Sequence, residues 1–338
     1  MQKPTGASKL NIIASGLMLL LAGCGKEEPV PPEIILPEVL TSSLEYITPK
    51  SAFCSGTIIS IGNSYISEKG LCWDDEPLPD TTDTRKAAYE IIPYLNGFTF
   101  LLTDLVPETS YYVRAYAISN KGTVYGNELS FITPADLSGE AGTVADVEGN
   151  VYQTISIGTQ VWITENLKTT KLNDGTDIPE ITDNKKWSFT CTPARCWYDN
   201  KEHYRDTYGA LYNWYVAGSG KICPEGWHVP SDDEWIIIES FLGGGDVAGI
   251  KMKEAGFEHW IDIKYAHEAT NESGFTGLPG GERADNGYFE DIGEQNFFWS
   301  STCNGTGAWY RVQSAYGDYN FRGCLSILMG GSIRCIKD

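Results

Sequence analysis

Basic residues are scarce in this 338-residue chain, which has 25 lysines and arginines against 45 aspartates and glutamates. The resulting net charge of −20 argues against a nucleic-acid partner, because affinity for nucleic acids depends on basic side chains that neutralise phosphates. It argues equally against electrostatic binding to anionic lipid. The acidity instead keeps the chain soluble and its polar surface hydrated.

Long apolar runs and metal-binding histidine patterns are also lacking. The N-terminal apolar stretch, Ile12–Leu21, is about half of the roughly 20 residues that a transmembrane helix needs. We therefore do not expect a permanent membrane-spanning helix. The four histidines do not show the spacing of a zinc site, and His228 is expected to belong to a structural corner. The sequence implies no metal and no other cofactor.

The first 24 residues have the organisation of a signal peptide. Lys3 and Lys9 precede the apolar stretch, which ends in the Leu-Ala-Gly-Cys sequence of Leu21–Cys24. This sequence resembles the lipobox of bacterial lipoproteins, and the resemblance implies cleavage before Cys24 and an acyl chain such as palmitate on that cysteine. An ordinary cleavage site with an incidental cysteine is the alternative. The mature chain would have 23 basic and 45 acidic side chains, a net charge of −22.

Residues 24–39 are predicted to be a lipid-anchored, Pro-rich linker. The acidic stretch after Cys24 contains Lys26, Glu27 and Glu28. It resembles the export signal of Bacteroidetes lipoproteins, which implies anchoring in the outer membrane with the protein facing the cell exterior. A solvated spacer is the other interpretation, because four prolines follow and Pro-rich segments act as semi-rigid spacers. These prolines are Pro29, Pro31, Pro32 and Pro37.

Short runs of alternating apolar and polar residues, separated by turns, predict a β-sandwich between Pro37 and Pro134. The order of Leu105, Tyr111 and Arg114 before a predicted penultimate strand resembles that of fibronectin type III domains. This resemblance covers residues 40–134 and implies a spacer or an adhesive unit. The small, polar residues 135–143 are predicted to be an interdomain linker.

A second module is predicted over residues 144–338. It begins with a turn at Gly149-Asn150 and a hairpin that ends at Ile163. Six later blocks occur in order and together resemble the Fibrobacter succinogenes major paralogous domain, or FISUMP domain. These blocks are Trp162–Lys168, Tyr208–Tyr215, Cys223–Ser231, Asn271–Gly281, Trp299–Thr302 and Arg334–Asp338.

The FISUMP resemblance implies an α+β fold similar to C-type lectin-like and formylglycine-generating-enzyme folds, with two helices and a twisted antiparallel sheet. Ser231–Glu234 is a capping box that begins one helix, which should end at Gly243–Gly245. A preceding helix is predicted from Gly209 to about Ala217, and residues 257–321 are predicted to be largely loop. Fold alone does not supply a mechanism.

Eight cysteines besides Cys24 indicate disulfides, because an even number in an exported chain favours bridges over metal ligands. Eight cysteines permit 105 pairings, so the pairing is inferred only from positions along the predicted fold. The expected pairs are Cys54–Cys72, Cys191–Cys196, Cys223–Cys335 and Cys303–Cys324.

No residue set forms a recognisable catalytic site. Formylglycine-generating chemistry needs a reactive cysteine pair near the C-terminus, and Cys303 and Cys324 lie outside any matching motif. The calcium-binding motifs of C-type lectins are absent, and Trp299–Thr302 stands at the position that corresponds to the Trp-Asn-Asp strand motif. Asp/Asn turns at 174–177, 199–200 and 285–287 could supply oxygen ligands, but such residues commonly cap the backbone.

The remaining signal is aromatic and polar loop surface, which suits a glycan or protein ligand because rings stack while neighbouring groups hydrogen bond. The working hypothesis is a non-catalytic surface lipoprotein with a ligand-binding or adhesive head. A structural subunit of a surface assembly and a glycan-processing hydrolase are the alternatives. Candidate ligand-binding residues are Tyr316, Asp318, Tyr319, Asn320, Trp187 and Tyr204.

Overall fold

The computed structural model describes residues 33–88, 96–264, 267–303, 305 and 307–338. The predicted lipidation site Cys24 and the export residues Lys26, Glu27 and Glu28 lie outside the described residues. Residues 35–338 form one compact unit that contains both predicted modules. Among the described residues, no helix has the length and apolarity to span a bilayer.

The N-terminal module is a β-sandwich of two antiparallel sheets, ordered β1-β2-β5 and β4-β3-β6-β7. Apolar side chains alternate along the strands and face one another between the sheets, as a period of two requires. The Tyr111 hydroxyl accepts a hydrogen bond from the Val106 backbone N–H at 3.1 Å, which fixes the turn before β6. The strands are β1 (Glu38–Glu45), β2 (Ala52–Ser60), β3 (Ile66–Asp74), β4 (Thr84–Ala88), β5 (Gly97–Leu102), β6 (Ser110–Ser119) and β7 (Gly122–Ile132).

The C-terminal module combines short helices with two further sheets. Its strands are β8 (Ala141–Ala145), β9 (Val151–Ile157), β10 (Gln160–Ile163), β11 (Arg195–Cys196), β12 (Leu211–Asn213), β13 (Trp227–His228), β14 (Gly280–Arg283), β15 (Phe289–Ile292), β16 (Gln295–Cys303), β17 (Ala308–Ser314), β18 (Asn320–Leu325), β19 (Gly330–Gly331) and β20 (Ile336–Lys337). Its helices are α1 (Asn184–Ser188), α2 (Arg205–Tyr208), α3 (Trp214–Ala217), α4 (Asp232–Phe241) and α5 (Gly245–Met252).

The smaller sheet of this module has the order β13-β20-β10-β9-β8 and brings the last strand beside the first hairpin. The predicted turn at Gly149-Asn150 is present and joins β8 to β9. The prediction that residues 135–143 form a linker was wrong in part, because β8 begins at Ala141 and pairs with β9. The small, exposed residues of β8 are typical of an edge strand as well as of a linker, so composition did not distinguish the two structures.

The larger sheet follows the order β11-β12-β19-β14-β16-β17-β18, and β15 pairs with β14. Strands β16, β17 and β18 form an antiparallel meander in which β18 is the outer strand. The prediction of a largely loop-like stretch over residues 257–321 was therefore wrong, since this stretch contains four strands and the start of β18. Strands β16 and β17 are largely buried on both faces, so this part of the sequence shows no alternation that would indicate strands.

The capping box is confirmed at the start of α4. The Ser231 hydroxyl accepts from the Glu234 N–H at 3.2 Å, and the Glu234 carboxylate accepts from the Ser231 N–H at 2.8 Å. Helix α4 ends before Gly243 and Gly244, both of which have positive φ, as the sequence predicted. No sequence pattern predicted α5, which starts at the third glycine of this run.

The predicted helix from Gly209 to Ala217 is half strand. Residues Leu211–Asn213 form β12, which is buried on both faces between β11 and β19, and only the single turn α3 follows. A fully buried strand shows no alternation, so its apolar run could not be distinguished from a helix face by periodicity.

One predicted disulfide is present, Cys223–Cys335, with an S–S distance of 1.97 Å. The Cys54–Cys72 prediction was wrong because the two side chains lie on different sides of the sandwich wall. Cys54 is in the sandwich core, whereas Cys72 stands between the core residues Leu71 and Trp73 and so faces the other side of β3. The Cys72 thiol instead donates to the Pro79 carbonyl at 3.4 Å.

The other two predicted bridges are also not formed in the structure. Cys196 is buried in a hydrophobic cluster of the C-terminal module, while Cys191 is exposed. Cys303 and Cys324 lie on β16 and β18, which flank β17 rather than pair with each other. Strands are about 4.8 Å apart, so two steps exceed the Cα separation of about 4.4–6.8 Å that a disulfide needs.

Candidate functional site

The predicted ligand-binding residues fall into two separate places. Tyr316, Asp318, Tyr319 and Asn320 lie together in and after the turn that joins β17 to β18. Tyr316 is exposed, and its hydroxyl donates to the Glu294 carboxylate at 2.6 Å. The turn is held by its backbone as well, since the Asp318 carbonyl accepts from the Ile250 N–H of α5 at 2.8 Å.

Trp187 and Tyr204, the other two candidate ligand-binding residues, lie outside this turn. Trp187 is only 1% exposed and packs beneath the Arg283 guanidinium, 4.4 Å from its ring centre. Tyr204 is partly buried against Tyr198, with ring centres 5.7 Å apart. Both belong to one hydrophobic cluster because their rings supply core volume around β11 and β12.

A groove of about 620 Å³ lies beside β18, and two of the predicted residues, Tyr319 and Asn320, line it. We call it the β18 groove. Strands β16 and β17, the C-terminal half of α4 and the first turn of α5 complete its walls. The lining residues are Glu239, Gly245, Asp246, Gln295, Phe297, Tyr310, Val312, Tyr319, Asn320, Phe321 and Arg322.

A buried ion network forms one side of the β18 groove. Arg311 is fully buried and pairs with Asp232 at 2.8 Å and with Glu239 at 2.6 Å. Arg322 pairs with the other Asp232 oxygen at 2.6 Å. Two arginines thus balance two carboxylates, and the network fixes the position of Glu239 and Arg322, the two members that line the groove.

Burial and pairing act in opposite directions on the two carboxylates. Burial raises the pKa of Asp232, but its hydrogen bonds to Arg322 and Arg311 lower the pKa by more than burial raises it. The net pKa of Asp232 therefore lies below its ordinary value. For Glu239, burial raises the pKa, and the attraction of Arg311 only partly offsets this effect. Both carboxylates are committed to arginine, so neither is arranged as a general acid with a partner nucleophile in the groove.

Asn320 provides a buried hydrogen-bond acceptor at the β18 groove. Its side-chain N–H donates to the Glu239 carboxylate at 2.8 Å, which orients the amide. The side-chain oxygen, Oδ1, is buried and has no hydrogen-bond partner in the structure. A buried acceptor without a partner costs about 1–3 kcal/mol, so a ligand hydroxyl or N–H that reached it would recover this energy.

Two exposed aromatic residues flank Asn320 in the chain and line the same groove. Tyr319 and Phe321 are both exposed, with ring centres 6.5 Å apart in an edge-to-face arrangement. The Arg322 guanidinium stacks on Trp309 at 3.6 Å from the ring centre and stays partly accessible. The sequence did not indicate Phe321, Arg322 or Gln295 as site residues; the available signal was that Phe321 and Arg322 directly follow the predicted Asn320 in the chain.

A second carboxylate with a strongly shifted pKa lies outside the lining of the groove. Burial, together with repulsion from Asp291, Glu290 and Asp285, raises the pKa of Glu282 to about 7. Its Oε2 atom is buried without a hydrogen-bond partner. The sequence did not predict this group, since only the fold places β14 and its acidic neighbours side by side.

Among the described residues, Glu254, Glu258 and His259 place their ligand atoms within 4.8 Å of one another and could hold a metal ion. His259 Nδ1 lies 2.9 Å from both Glu254 carboxylate oxygens. The sequence did not predict this cluster. The Asp-rich turn that was considered for calcium uses its oxygens locally, since Asp174 accepts from the Thr176 N–H and pairs with Lys221.

The predicted corner at His228 is a hydrogen-bonded junction. Its Nδ1 lies 2.6 Å from Asp338 and its Nε2 2.8 Å from Glu234, so it connects β13, the C-terminus and the first turn of α4. Burial lowers the pKa of His228, but the hydrogen bonds to Asp338 and Glu234 raise it more, and the net pKa lies above its ordinary value.

Comparison with known proteins gives a family match over more than half of the chain. Residues 155–337 match the model of the Fibrobacter succinogenes major domain. No curated protein matches the chain. The match lies inside the predicted boundaries of 144–338 and includes every residue of the β18 groove.

Solved structures similar to parts of the chain include fibronectin type III domains and a sensor domain. The fourth FNIII domain of human is 18% identical, with 36% of this chain and 100% of that one covered and a TM-score of 0.22. The third fibronectin III domain of human KIAA0343 protein is 11% identical, with coverage of 35% and 98% and a TM-score of 0.21. The sensor domain of the anti-sigma factor RsgI4 in Pseudobacteroides cellulosolvens is 18% identical, with coverage of 30% and 76% and a TM-score of 0.24.

Proposed function

The chain belongs to the Fibrobacter succinogenes major domain family, and from this premise we propose that it is a lipid-anchored surface protein whose C-terminal module binds a carbohydrate in the β18 groove. The anchor is the acyl chain expected on Cys24, in the outer membrane and facing the cell exterior. The fibronectin type III-like sandwich then separates the binding module from the anchor. Binding, rather than catalysis, is the activity that this arrangement supports.

The observation that carries the proposal is that Asn320, whose Oδ1 atom is buried without a hydrogen-bond partner, lines the same groove as the exposed Tyr319 and Phe321. A sugar ring presents an apolar face of C–H groups and an edge of hydroxyl groups. Tyr319 or Phe321 can stack against the face while a hydroxyl donates to Asn320, and Asp246 and Gln295 offer further polar contacts. The paired arginines and carboxylates stay in place during binding because buried ion pairs hold them to one another.

We further propose that the C-terminal module has a C-type lectin-like arrangement. Three features support it: the antiparallel pairing of β20 with β10, which brings the two ends of the module together, the Cys223–Cys335 bridge, and the two longer helices α4 and α5. In this arrangement the β18 groove lies in the later part of the module, where β16, β17 and β18 form the meander.

The test is a screen of the mature chain without its lipid, residues 25–338, on an array of host and plant glycans, with and without calcium. The Tyr319→Ala/Phe321→Ala variant removes both groove aromatics. Its matched control is Tyr316→Ala/Tyr288→Ala, which removes two exposed rings that do not line the groove. Loss of the stacking contacts should weaken binding about ten-fold or more.

Saturable glycan binding that the groove variant loses and the control keeps supports the proposal. Binding that survives in the groove variant would place the ligand elsewhere and overturn it. If no glycan binds, the carbohydrate proposal fails, and a protein partner or a structural role in a surface assembly becomes the better hypothesis.

A further inference from the structure

A second surface lies at the end of the sandwich farthest from the C-terminal module. The two modules meet at the β1–β2 turn, where the Ser51 hydroxyl donates to the Ser240 carbonyl at 2.7 Å and the Tyr46 hydroxyl donates to Asp233 at 2.9 Å. Antiparallel strands place the β2–β3 and β6–β7 turns at the opposite end. We call residues 35–36, 59–65 and 119–122, which lie there, the sandwich tip.

The sandwich tip exposes large apolar side chains that no other described segment covers. Their exposed fractions lie between 45% and 72%, although each could have been a polar residue at no cost to the sandwich core. Single exposed apolar residues need no explanation, but a group of them at one end of a domain indicates a contact surface. The five residues are Ile35, Leu36, Ile59, Ile61 and Tyr65.

Backbone hydrogen bonds hold the sandwich tip in one shape. The Ile35 N–H donates to the Asn63 side chain at 3.0 Å, and the Asn63 N–H donates back to the Ile35 carbonyl at 3.1 Å. The Tyr65 N–H donates to the Asn120 side chain at 2.9 Å, and the Asn120 N–H donates to the Tyr65 carbonyl at 3.1 Å. The apolar residues are therefore displayed by a connected set of turns.

The charge of the sandwich tip differs from that of the rest of the chain. Aspartate and glutamate number 45 in 338 residues, yet neither occurs in residues 59–67 or 118–124. The one charged residue in these two turns is Lys121, which is exposed. An apolar surface with tyrosine and lysine at its edge is suited to the boundary between lipid headgroups and acyl chains, where both side chains keep a polar end in water.

The length of the linker brings this surface close to a membrane. Ten residues lie between the predicted lipid on Cys24 and Ile35, so eleven Cα–Cα steps join the two positions. Even fully extended they span at most about 40 Å, and as polyproline helix about 34 Å. The chain enters the sandwich at Ile35, within the tip itself, so a bilayer that held the anchor would lie within this distance of the tip.

We propose that the sandwich tip rests on the lipid bilayer, with its apolar side chains at the headgroup boundary. This inference relies on the proposed anchor, which supplies one membrane contact, and makes the tip the second. The contact also orients the sandwich so that the C-terminal module points away from the membrane.

The test tethers the protein without using Cys24. Residues 25–338 with an N-terminal hexahistidine segment are bound to phosphatidylcholine vesicles that contain a nickel-chelating lipid, and hydrogen exchange is measured with and without vesicles. The tip variant is Ile61→Ser/Tyr65→Ser. The matched control is Leu78→Ser/Val106→Ser, which removes two equally exposed apolar side chains from turns at the other end of the sandwich.

Slower exchange over residues 59–67 on vesicles, together with a dwell time about ten-fold shorter for the tip variant only, is the expected result. Unchanged exchange at the tip, or equal losses in both variants, would overturn the proposal. Protection that rises with protein concentration without vesicles would assign the tip to a second copy of the chain instead. Failure of the anchor is separate, since it would appear as unchanged membrane retention of the Cys24→Ala lipoprotein in cells.

Discussion

The ion network beside the β18 groove gives the sharpest stability prediction. In the Arg311→Met variant, a side chain of similar length removes both ion pairs, to Asp232 and to Glu239, from a fully buried position. Asp232 keeps Arg322, but Glu239 keeps only the Asn320 amide. Breaking a buried pair from one side costs about 3–5 kcal/mol, because one charge stays buried without compensation.

The pH dependence of this loss follows from Glu239. Its folded-state pKa is already raised by burial, and removal of Arg311 must raise it further. A raised carboxyl pKa lowers stability as pH rises above the unfolded value of about 4.3, because the folded state must then either bury the charge or hold a proton. The loss in the variant should therefore be smaller near pH 4 than near pH 7.

Urea unfolding of the wild type and Arg311→Met at both pH values measures the free energy of unfolding directly. The Glu239→Gln variant is the matched comparison, since it removes the charge but keeps the shape, and the Arg311→Met/Glu239→Gln double variant should recover part of the loss. A change below about 1 kcal/mol at pH 7, or a loss that does not depend on pH, would refute the reasoning.

Three further predictions concern the C-terminal module. Removing the Cys223–Cys335 bridge opens a loop of 112 residues and should lower the free energy of unfolding by about 4–5 kcal/mol, measured by urea unfolding under reducing conditions; an unchanged midpoint would contradict this. The pKa of His228 is raised in the folded state by its hydrogen bonds to Asp338 and Glu234. The stability that this histidine contributes is therefore complete below about pH 6.5, the pKa of an unfolded histidine, and is lost as pH rises through the folded-state pKa. The His228→Gln variant should accordingly lower the melting temperature more at pH 6 than at pH 9. A methyl group on Gly249 would lie 2.0 Å from the Tyr319 carbonyl, so Gly249→Ala should displace the start of β18 and weaken glycan binding, and full binding by a folded variant would contradict the packing.

Local signals predicted the elements whose chemistry is local. The capping box at Ser231 and the glycine stop after α4 follow from hydrogen bonds within a few residues, and both are present. The alternation of apolar and polar residues along the sandwich strands arises because only one face of each sheet is buried, and it also predicted these strands from the sequence. Where a strand is buried on both faces, as β12 is, the signal disappears and the sequence predicted a helix.

Pairings between distant residues could not be predicted from the sequence in the same way. Which cysteines meet depends on strand order and on which face each side chain takes, and one position of alternation decides that Cys72 faces away from Cys54. The β18 groove shows the same limit. Tyr319 and Asn320 were found as polar turn residues, but Glu239 meets Asn320 only because the fold brings α4 beside β18.

The most direct test of the carbohydrate site is the crystal structure of the mature chain with the glycan that the array selects. The account predicts a sugar ring in the β18 groove, stacked on Tyr319 or Phe321, with a hydroxyl donating to the Asn320 side-chain oxygen. A glycan bound at another surface, with the groove residues free of contact, would contradict it.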